Sequence, residues 1–315
     1  MSKTWTLAEI PSQAGKRILI TGANSGIGYY AALTLARKGA HVVMACRDRR
    51  KGEVALARLA SEAPGTGTEL AILDLASLAS VREFAARELD GGQALDILIN
   101  NAGVMAPPKR RETVDGFELQ FGTNVVGHFA LTGLLLPALE WAAAQTSEAP
   151  RIVTIASIAH KRGRLNFDDL QSRQNYGPMK SYQQSKLANL MLALEMDRRL
   201  RAAGSGILSV AAHPGVANTN LFQTGEHSAI EKAGRRVMGY LIGAFLNTEA
   251  EGALPTLYAA TSSAVTGGGY YGPQGFQEMC GDEIGPAKIE AQAKDGASAA
   301  RLWGVCEELS GVKFL

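Results

Sequence analysis

Short apolar runs alternate along this chain with longer segments whose apolar residues recur every three or four positions. Arg17-Ile18-Leu19-Ile20-Thr21 is the first run, and it predicts a buried strand. Gly26 to Arg37 has helical spacing, and Gly39 follows as a stop signal. The pattern then repeats: a strand at His41 to Ala45, a helix at Arg50 to Glu62 ended by Pro64-Gly65, a strand at Glu69 to Leu73, a helix from Ser77, and a strand at Leu95 to Ile99. Such alternation predicts βαβ units and a parallel sheet.

The second half continues the pattern. A long helical region is expected from about Thr113 to Ala144, with a bend near Pro137. Arg151 to Ser157 is the fifth strand, Ile207 to Ala212 the sixth, Ala250 to Thr261 a helix, and Gly269-Tyr270-Tyr271 a short last strand. The longest irregular stretches are Ala159 to Lys180, Val216 to Thr248 and Gly272 to Ala287. All follow strands, and in an open α/β sheet the ligand-binding loops gather at the carboxyl ends of the strands. The expected fold is α/β: one domain over residues 1–315, a doubly wound parallel sheet of about seven strands with helices on both faces. Residues 1–15 form an extension, and residues 216–248 a substrate-binding loop region.

Composition narrows the function classes. Of 315 residues, 46% are hydrophobic and 20% charged, ordinary for a globular domain. The net charge of +2, without a Lys/Arg tract, gives no footprint for nucleic acid. Three scattered cysteines, Cys46, Cys280 and Cys306, form neither a disulfide framework nor a metal-ligand cluster, so no metal is expected and a reducing, cytoplasmic compartment fits. Met1 to Gly15 has no long apolar run, and Val237 to Leu246 is too short for a bilayer, so no membrane span is expected.

Between the first strand and first helix lies Thr21-Gly22-Ala23-Asn24-Ser25-Gly26-Ile27-Gly28. Glycines permit a sharp turn and close approach of a pyrophosphate, and the helix N-terminus offers free N–H groups and a positive dipole end. The placement after a strand and before a helix points to a dinucleotide. In such a site the end of the second strand faces the adenosine ribose. Arg47 stands there, beside the neutral Cys46, which favours the 2′-phosphate of NADP(H) over NAD(H).

Ser181-Tyr182-Gln183-Gln184-Ser185-Lys186 opens another helical pattern, carried on by Leu187, Leu190, Met191 and Leu194. Tyr182 and Lys186 are one turn apart on one face. An ammonium beside a phenol is expected to lower the phenol's pKa and make it a general acid/base. Alone the pair equally describes a surface Tyr and Lys.

Taken together, these segments resemble the short-chain dehydrogenase/reductase family. The glycine turn matches its TGxxxGIG motif, and Asn100-Asn101-Ala102-Gly103 its NNAG motif. Asn124 falls where the family has a helix asparagine, Ser157 lies 25 positions before Tyr182 as the catalytic serine does, and Pro214-Gly215, with Val216 and Thr219 behind, matches the turn beside the nicotinamide. Ala156 stands where many members have a second serine. Ala45-Cys46-Arg47-Asp48, His160, Ser185-Lys186-Leu187-Ala188-Asn189 and His213-Pro214-Gly215-Val216 resemble the retinol dehydrogenase-like branch, near the protochlorophyllide reductases.

The resemblance implies a Rossmann-fold enzyme that moves a hydride between NADP(H) and a carbonyl or alcohol carbon. Tyr182 would exchange the proton, Lys186 lower its pKa and hold the nicotinamide ribose, Ser157 hydrogen-bond the substrate oxygen, and Asn124 hold a relay water. Gly22, Asn24, Ser25, Gly26, Ile27, Gly28, Arg47, Asn101, Ala102, Gly103, Pro214, Gly215, Val216 and Thr219 would hold the cofactor, with Asp74 and Leu75 at its adenine; otherwise Asp74 caps the next helix. His160 is either a substrate contact or polar surface. Gly239 to Leu246 reads as pocket lining, subunit contact or plain core, and a largely apolar small-molecule substrate is expected. Members of the family are commonly dimers or tetramers, so a homo-oligomer is a further expectation. A non-catalytic NADP(H) sensor on the same fold is the rival reading, and a sugar-nucleotide epimerase is disfavoured by the glycine spacing.

Overall fold

The computed structural model describes residues 5–216 and 247–315. The elements are β1 (Arg17–Thr21), α1 (Gly26–Arg37), β2 (His41–Cys46), α2 (Arg49–Glu62), β3 (Thr68–Ile72), α3 (Leu78–Asp90), β4 (Ile97–Asn100), α4 (Gly127–Gln145), β5 (Arg151–Ile155), α5 (Pro178–Ala202), β6 (Leu208–Ala212), α6 (Glu249–Thr261), β7 (Tyr270–Pro273), β8 (Ile284–Pro286) and α7 (Gly296–Ser310). Among the described residues the sheet has eight strands in the order β3-β2-β1-β4-β5-β6-β7-β8. All pairs are parallel except β7 with β8.

Continuous apolar strands suit this sheet because both of its faces are covered. Leu19, Val43, Leu98 and Ile152 point to one side and pack with Phe84, Phe129, Leu187 and Leu302. Their neighbours Ile18, Ile20, Val42, Met44 and Val153 point to the other and pack with Ala31, Leu35, Leu59 and Leu257. The strand order turns back between β1 and β4, which opens a crevice at their carboxyl ends.

The sheet is close to the expected seven strands, and the differences lie at its edge and in the long helix. An eighth strand, Ile284–Pro286, adds antiparallel to the edge, and a further helix, Gly296–Ser310, follows it. That helix is capped by Asp295 and stops at Gly311 with φ 65, and its Trp303 packs edge-on against Phe129. The long helix does not begin at Thr113. Residues 113–118 form a loop, closed by the Glu112–Glu118 bridge and turning at Gly116 with φ 82. Helix starts at Leu119–Phe121, passes through a π-helical stretch at Gly122–Val126 and continues as α4 unbroken through Pro137.

The stretch Ala159 to Lys180 is less irregular than expected, with a 3₁₀ turn at Ile158–Arg162 and α5 starting at Pro178. Residues 119–145 are long and apolar enough to cross a bilayer, but 72% of their most apolar window is buried inside the protein. Thr219, Val237 to Leu246 and nearly all of the 216–248 loop lie outside the described residues.

Candidate active site

A cleft of about 1150 Å³ lies over the carboxyl ends of β1, β4 and β5. At one end is the glycine turn. Gly22 and Gly26 have φ of 68 and 58, a region that disfavours side chains. A Cβ on Gly28 would lie 2.5 Å from Asn101 Nδ2 and 2.5 Å from the Gly22 carbonyl, so the helix start can approach the turn only as glycine. Ser25 at the N-cap of α1 makes no side-chain capping bond, which leaves the first N–H groups of a twelve-residue helix to the cleft. That is the donor set an anionic pyrophosphate requires.

Behind the turn, Thr21 ties β1 to the Asn100–Gly103 segment. Its Oγ1 accepts from the N–H groups of Asn101 and Ala102, each at 2.9 Å, and Asn101 Nδ2 donates to the Thr21 carbonyl at 2.8 Å. His128, fully buried, lies 2.9 Å from that same hydroxyl through Nε2 and 3.1 Å from the Asn124 carbonyl through Nδ1. A carbonyl can only accept, so Nδ1 carries the proton and Nε2 takes the Thr21 hydroxyl. Burial holds the ring neutral, its pKa pushed down to about 4. Sequence reasoning missed this histidine; its only signal was a polar residue within an apolar helix.

At the end beside β2 the cleft is cationic. Arg47 is exposed at the end of β2, and Arg50 and Lys51 line the cleft with it. Asp48 does not line it: its carboxylate accepts from Lys51 N–H at 3.0 Å as the N-cap of α2. Arg58 also lines the cleft but is stacked over Tyr29 at 4.3 Å and bonded to Glu62. Asp74 and Leu75 are at the cleft. Asp74 does not cap α3, a role Ser77 takes; its Oδ1 accepts from the N–H of Ala76.

At the far end stand Ser157, Tyr182 and Lys186, all buried and all facing the cleft. Pro178 in the first turn of α5 starts the helix that carries Tyr182 and Lys186. Burial pushes the Tyr182 phenol up to about 12, while a hydrogen bond from Ser157 pulls it the other way. Burial pushes Lys186 down to about 8. Its ammonium donates to the Ile155 carbonyl at 2.7 Å and sits 6.0 Å from the centre of the Tyr182 ring. The expected lowering of the phenol's pKa by the lysine is therefore not met: burial raises it, and the one opposing influence is the Ser157 hydrogen bond.

Asn124 lies just behind the cleft, fully buried. Its Oδ1 accepts from Val104 N–H at 2.7 Å, and its Nδ2 donates to the Val104 carbonyl and to Ser185 Oγ, each at 3.0 Å. The π-helical stretch aims this side chain inward, and such bulges often mark functional sites. Every other predicted site residue lines the cleft, apart from Thr219, which is outside the described residues. His160 does not line it. It is fully buried behind Ser157 and is not surface. Met105, Pro107, Leu119, Ile158 and Met179 form an apolar wall that sequence reasoning did not identify. The described residues hold no metal-ligand cluster.

The sequence profile of the short chain dehydrogenases matches residues 16–229. The chain belongs to this family. Retinol dehydrogenase 14 of Mus musculus is 41% identical over 311 residues, spanning 95% of this chain and 86% of that protein. An uncharacterized Mycobacterium paratuberculosis protein of known crystal structure is 42% identical, with a TM-score of 0.79, and the match covers 99% of this chain and all of that one. An NAD(P)-dependent gluconate 5-dehydrogenase structure from Beutenbergia cavernae with bound NADP is 25% identical, with a TM-score of 0.62, over 82% of this chain and 95% of that one. The chain is thus a retinol dehydrogenase-like oxidoreductase of alcohol and carbonyl groups that uses a nicotinamide cofactor.

Proposed function

We propose that this protein interconverts an apolar alcohol and its aldehyde or ketone with NADP(H), and that Tyr182 exchanges the proton. One observation carries the reading: Ser157, Tyr182 and Lys186 converge, buried, at the end of the cleft opposite the cationic Arg47, Arg50 and Lys51. The cofactor supplies or takes up the hydride. The glycine turn and the start of α1 hold its diphosphate, Arg47 its 2′-phosphate, and Lys186 its nicotinamide ribose.

Ser157 donates a hydrogen bond to the substrate oxygen and stabilises the charge that develops there. Tyr182, with its pKa raised, remains protonated at neutral pH, which suits the donation needed for carbonyl reduction. Asn124, anchored to Val104 and Ser185, fixes the wall next to Lys186 and keeps a position for a relay water. The apolar wall of Met105, Pro107, Leu119, Ile158 and Met179 favours an apolar substrate, and retinaldehyde is the first to test given the named relative.

The experiment is NADPH oxidation across a panel of retinaldehyde, alkyl and aryl aldehydes, ketones and sugar nucleotides, with wild type and Tyr182→Phe. Turnover of apolar carbonyls that drops about 10²- to 10⁴-fold in the variant, with NADPH still bound, is the expected result. Near wild-type turnover in the variant rejects the tyrosine, and turnover confined to sugar nucleotides rejects the substrate class. NADPH binding without any turnover would favour a sensor.

A further inference from the structure

Two turns border the reacting end of the cleft. One follows β5 and carries Ser157; the other follows β6 and carries Pro214 and Gly215. A histidine stands behind each. His160 Nδ1 lies 2.7 Å from the Ser157 carbonyl, and Gly215 N–H lies 3.2 Å from His213 Nδ1. Both rings are 0% exposed. Both pack on Tyr270 of β7, with ring centres at 5.3 Å for His160 and 5.1 Å for His213.

The partners fix opposite tautomers. A carbonyl only accepts, so His160 carries its proton on Nδ1; an amide N–H only donates, so His213 Nδ1 is bare and its proton is on Nε2. The second nitrogen of each ring has no hydrogen-bond partner among the described residues. His213 Nε2 faces Glu278 at 3.8 Å, beyond hydrogen-bond reach. The Tyr270 hydroxyl, 3.3 Å from His160 Nδ1, can only share the proton already given to Ser157. Each ring therefore holds one turn through one nitrogen, and Tyr270 spaces the two rings.

The geometry points to His160 and His213 as paired positioning residues: braced on Tyr270, they set the Ser157 turn against the Pro214–Gly215 turn, and so the serine hydroxyl against the nicotinamide side of the site. This inference rests on the reading of Ser157 and of the 214–216 turn given above. Neither histidine lines the cleft, so neither acts on substrate directly. A misplacement of about 1 Å at a reacting centre can cost about a hundredfold in rate, which is the scale of effect at stake.

Asparagine and leucine separate this role from plain packing. The amide group of asparagine is as many bonds from the backbone as Nδ1 of histidine. At 160 it can donate to the Ser157 carbonyl, and at 213 it can accept from the N–H two residues on, the usual Asx-turn bond. Leucine fills more of the ring's volume but offers no polar atom. The expected order is crossed with respect to packing. His160→Leu and His213→Leu should lower kcat by about ten- to a hundredfold with the cofactor KM changed by less than about threefold. His160→Asn and His213→Asn should stay within about threefold of wild type. Glutamine at 160, whose amide reaches the Nε2 position instead, should behave like leucine.

Hydrogen exchange of peptides covering 157–163 and 213–216 provides a readout that needs no substrate. It should speed up in the leucine variants and remain near wild type with asparagine. Leucine variants with wild-type turnover and exchange, or asparagine variants that lose turnover or folding as leucine does, would overturn the inference. Should wild type turn over no carbonyl at all, the proposed function fails, and the exchange pattern alone then decides this inference.

Discussion

Tyr182 and Lys186 share one face of α5, yet the ammonium is bonded elsewhere: Lys186 Nζ donates to the Ile155 carbonyl at 2.7 Å and is 6.0 Å from the centre of the tyrosine ring. Helical spacing placed the two together, and burial decided their ionisation. The low-dielectric site disfavours the charged form of both, so the phenol rises to about 12 and the ammonium falls to about 8.

The lysine shift has a measurable consequence for stability. Its folded pKa of about 8 lies below the ordinary value of about 10.4. Between these values the unfolded chain binds more protons, so stability rises with pH across that window. Below pH 8 the full cost of the buried ammonium is present. Lys186→Met removes this titration while leaving that of Tyr182. The difference in unfolding free energy, wild type minus variant, should therefore increase from pH 7 to pH 10. Urea melts of both proteins at pH 7, 8.5 and 10 test it; a flat difference would mean that Lys186 titrates normally in the fold.

The glycine turn gives a second prediction. A Cβ at Gly28 meets the Gly22 carbonyl and Asn101 Nδ2, both at 2.5 Å, and Asn101 is itself bonded to Thr21. Neither neighbour is the free end of a flexible side chain. Gly28→Ala should cost about 1–3 kcal/mol of stability by overpacking and weaken cofactor binding at least about tenfold. Gly304→Ala, in α7 with nothing within 4 Å, should instead stabilise slightly, as a helix-interior glycine replaced by alanine. Melting curves and cofactor titrations of the two variants make the comparison.

The first half of the fold was legible because β1, β2 and β4 are buried on both faces, so periodicity alone separated Ile18-Leu19-Ile20 from the helices around it. The cleft was legible for a related reason: Gly22, Gly28, Asn101 and Tyr182 are local constraints written at fixed spacing. What escaped depends on distant contacts. The strand at Ile284–Pro286 is three residues long and exists by pairing with Tyr271 to Pro273. The loop at 113–118 looks helical in composition, but a bridge from Glu112 to Glu118 and a left-handed Gly116 hold it open. The roles of His128, His160 and His213 come from partners up to 110 residues away, as with His160 and Tyr270.

Those three histidines make the protein acid-sensitive. Burial lowers each pKa, His128 to about 4 and His213 to about 3, against an ordinary value of about 6.5. As pH falls below about 6.5 the unfolded chain takes up protons that the fold refuses, so stability drops progressively toward the folded values. Each histidine contributes a slope of at most about 1.4 kcal/mol per pH unit. Unfolding free energies between pH 7 and 4.5 should fall accordingly, and His128→Gln should flatten the slope by about one proton even though it lowers stability. An unchanged slope would mean that the ring is already charged in the fold.

The last prediction concerns cofactor choice, which rests on Arg47. A 2′-phosphate adds about one and a half to two negative charges at neutral pH, by analogy with phosphorylated side chains. The arginine is exposed at the end of β2, on the cleft, with Arg50 and Lys51 beside it. The one acid nearby in sequence, Asp48, does not line the cleft and has its carboxylate turned to the backbone of α2, though its charge is near enough to weaken the gain. A planar guanidinium suits phosphate oxygens, and such charge-assisted contacts favour the phosphorylated cofactor by about ten- to a hundredfold. Wild type should therefore bind NADPH more tightly than NADH. Arg47→Ala should weaken NADPH by that factor and hardly affect NADH, with Arg50 and Lys51 keeping a residual preference. High salt should narrow the gap in both proteins, since the contacts are solvent-exposed. Four dissociation constants, two cofactors with two proteins, decide the matter: equal weakening of both cofactors would place Arg47 on a part of the molecule that they share.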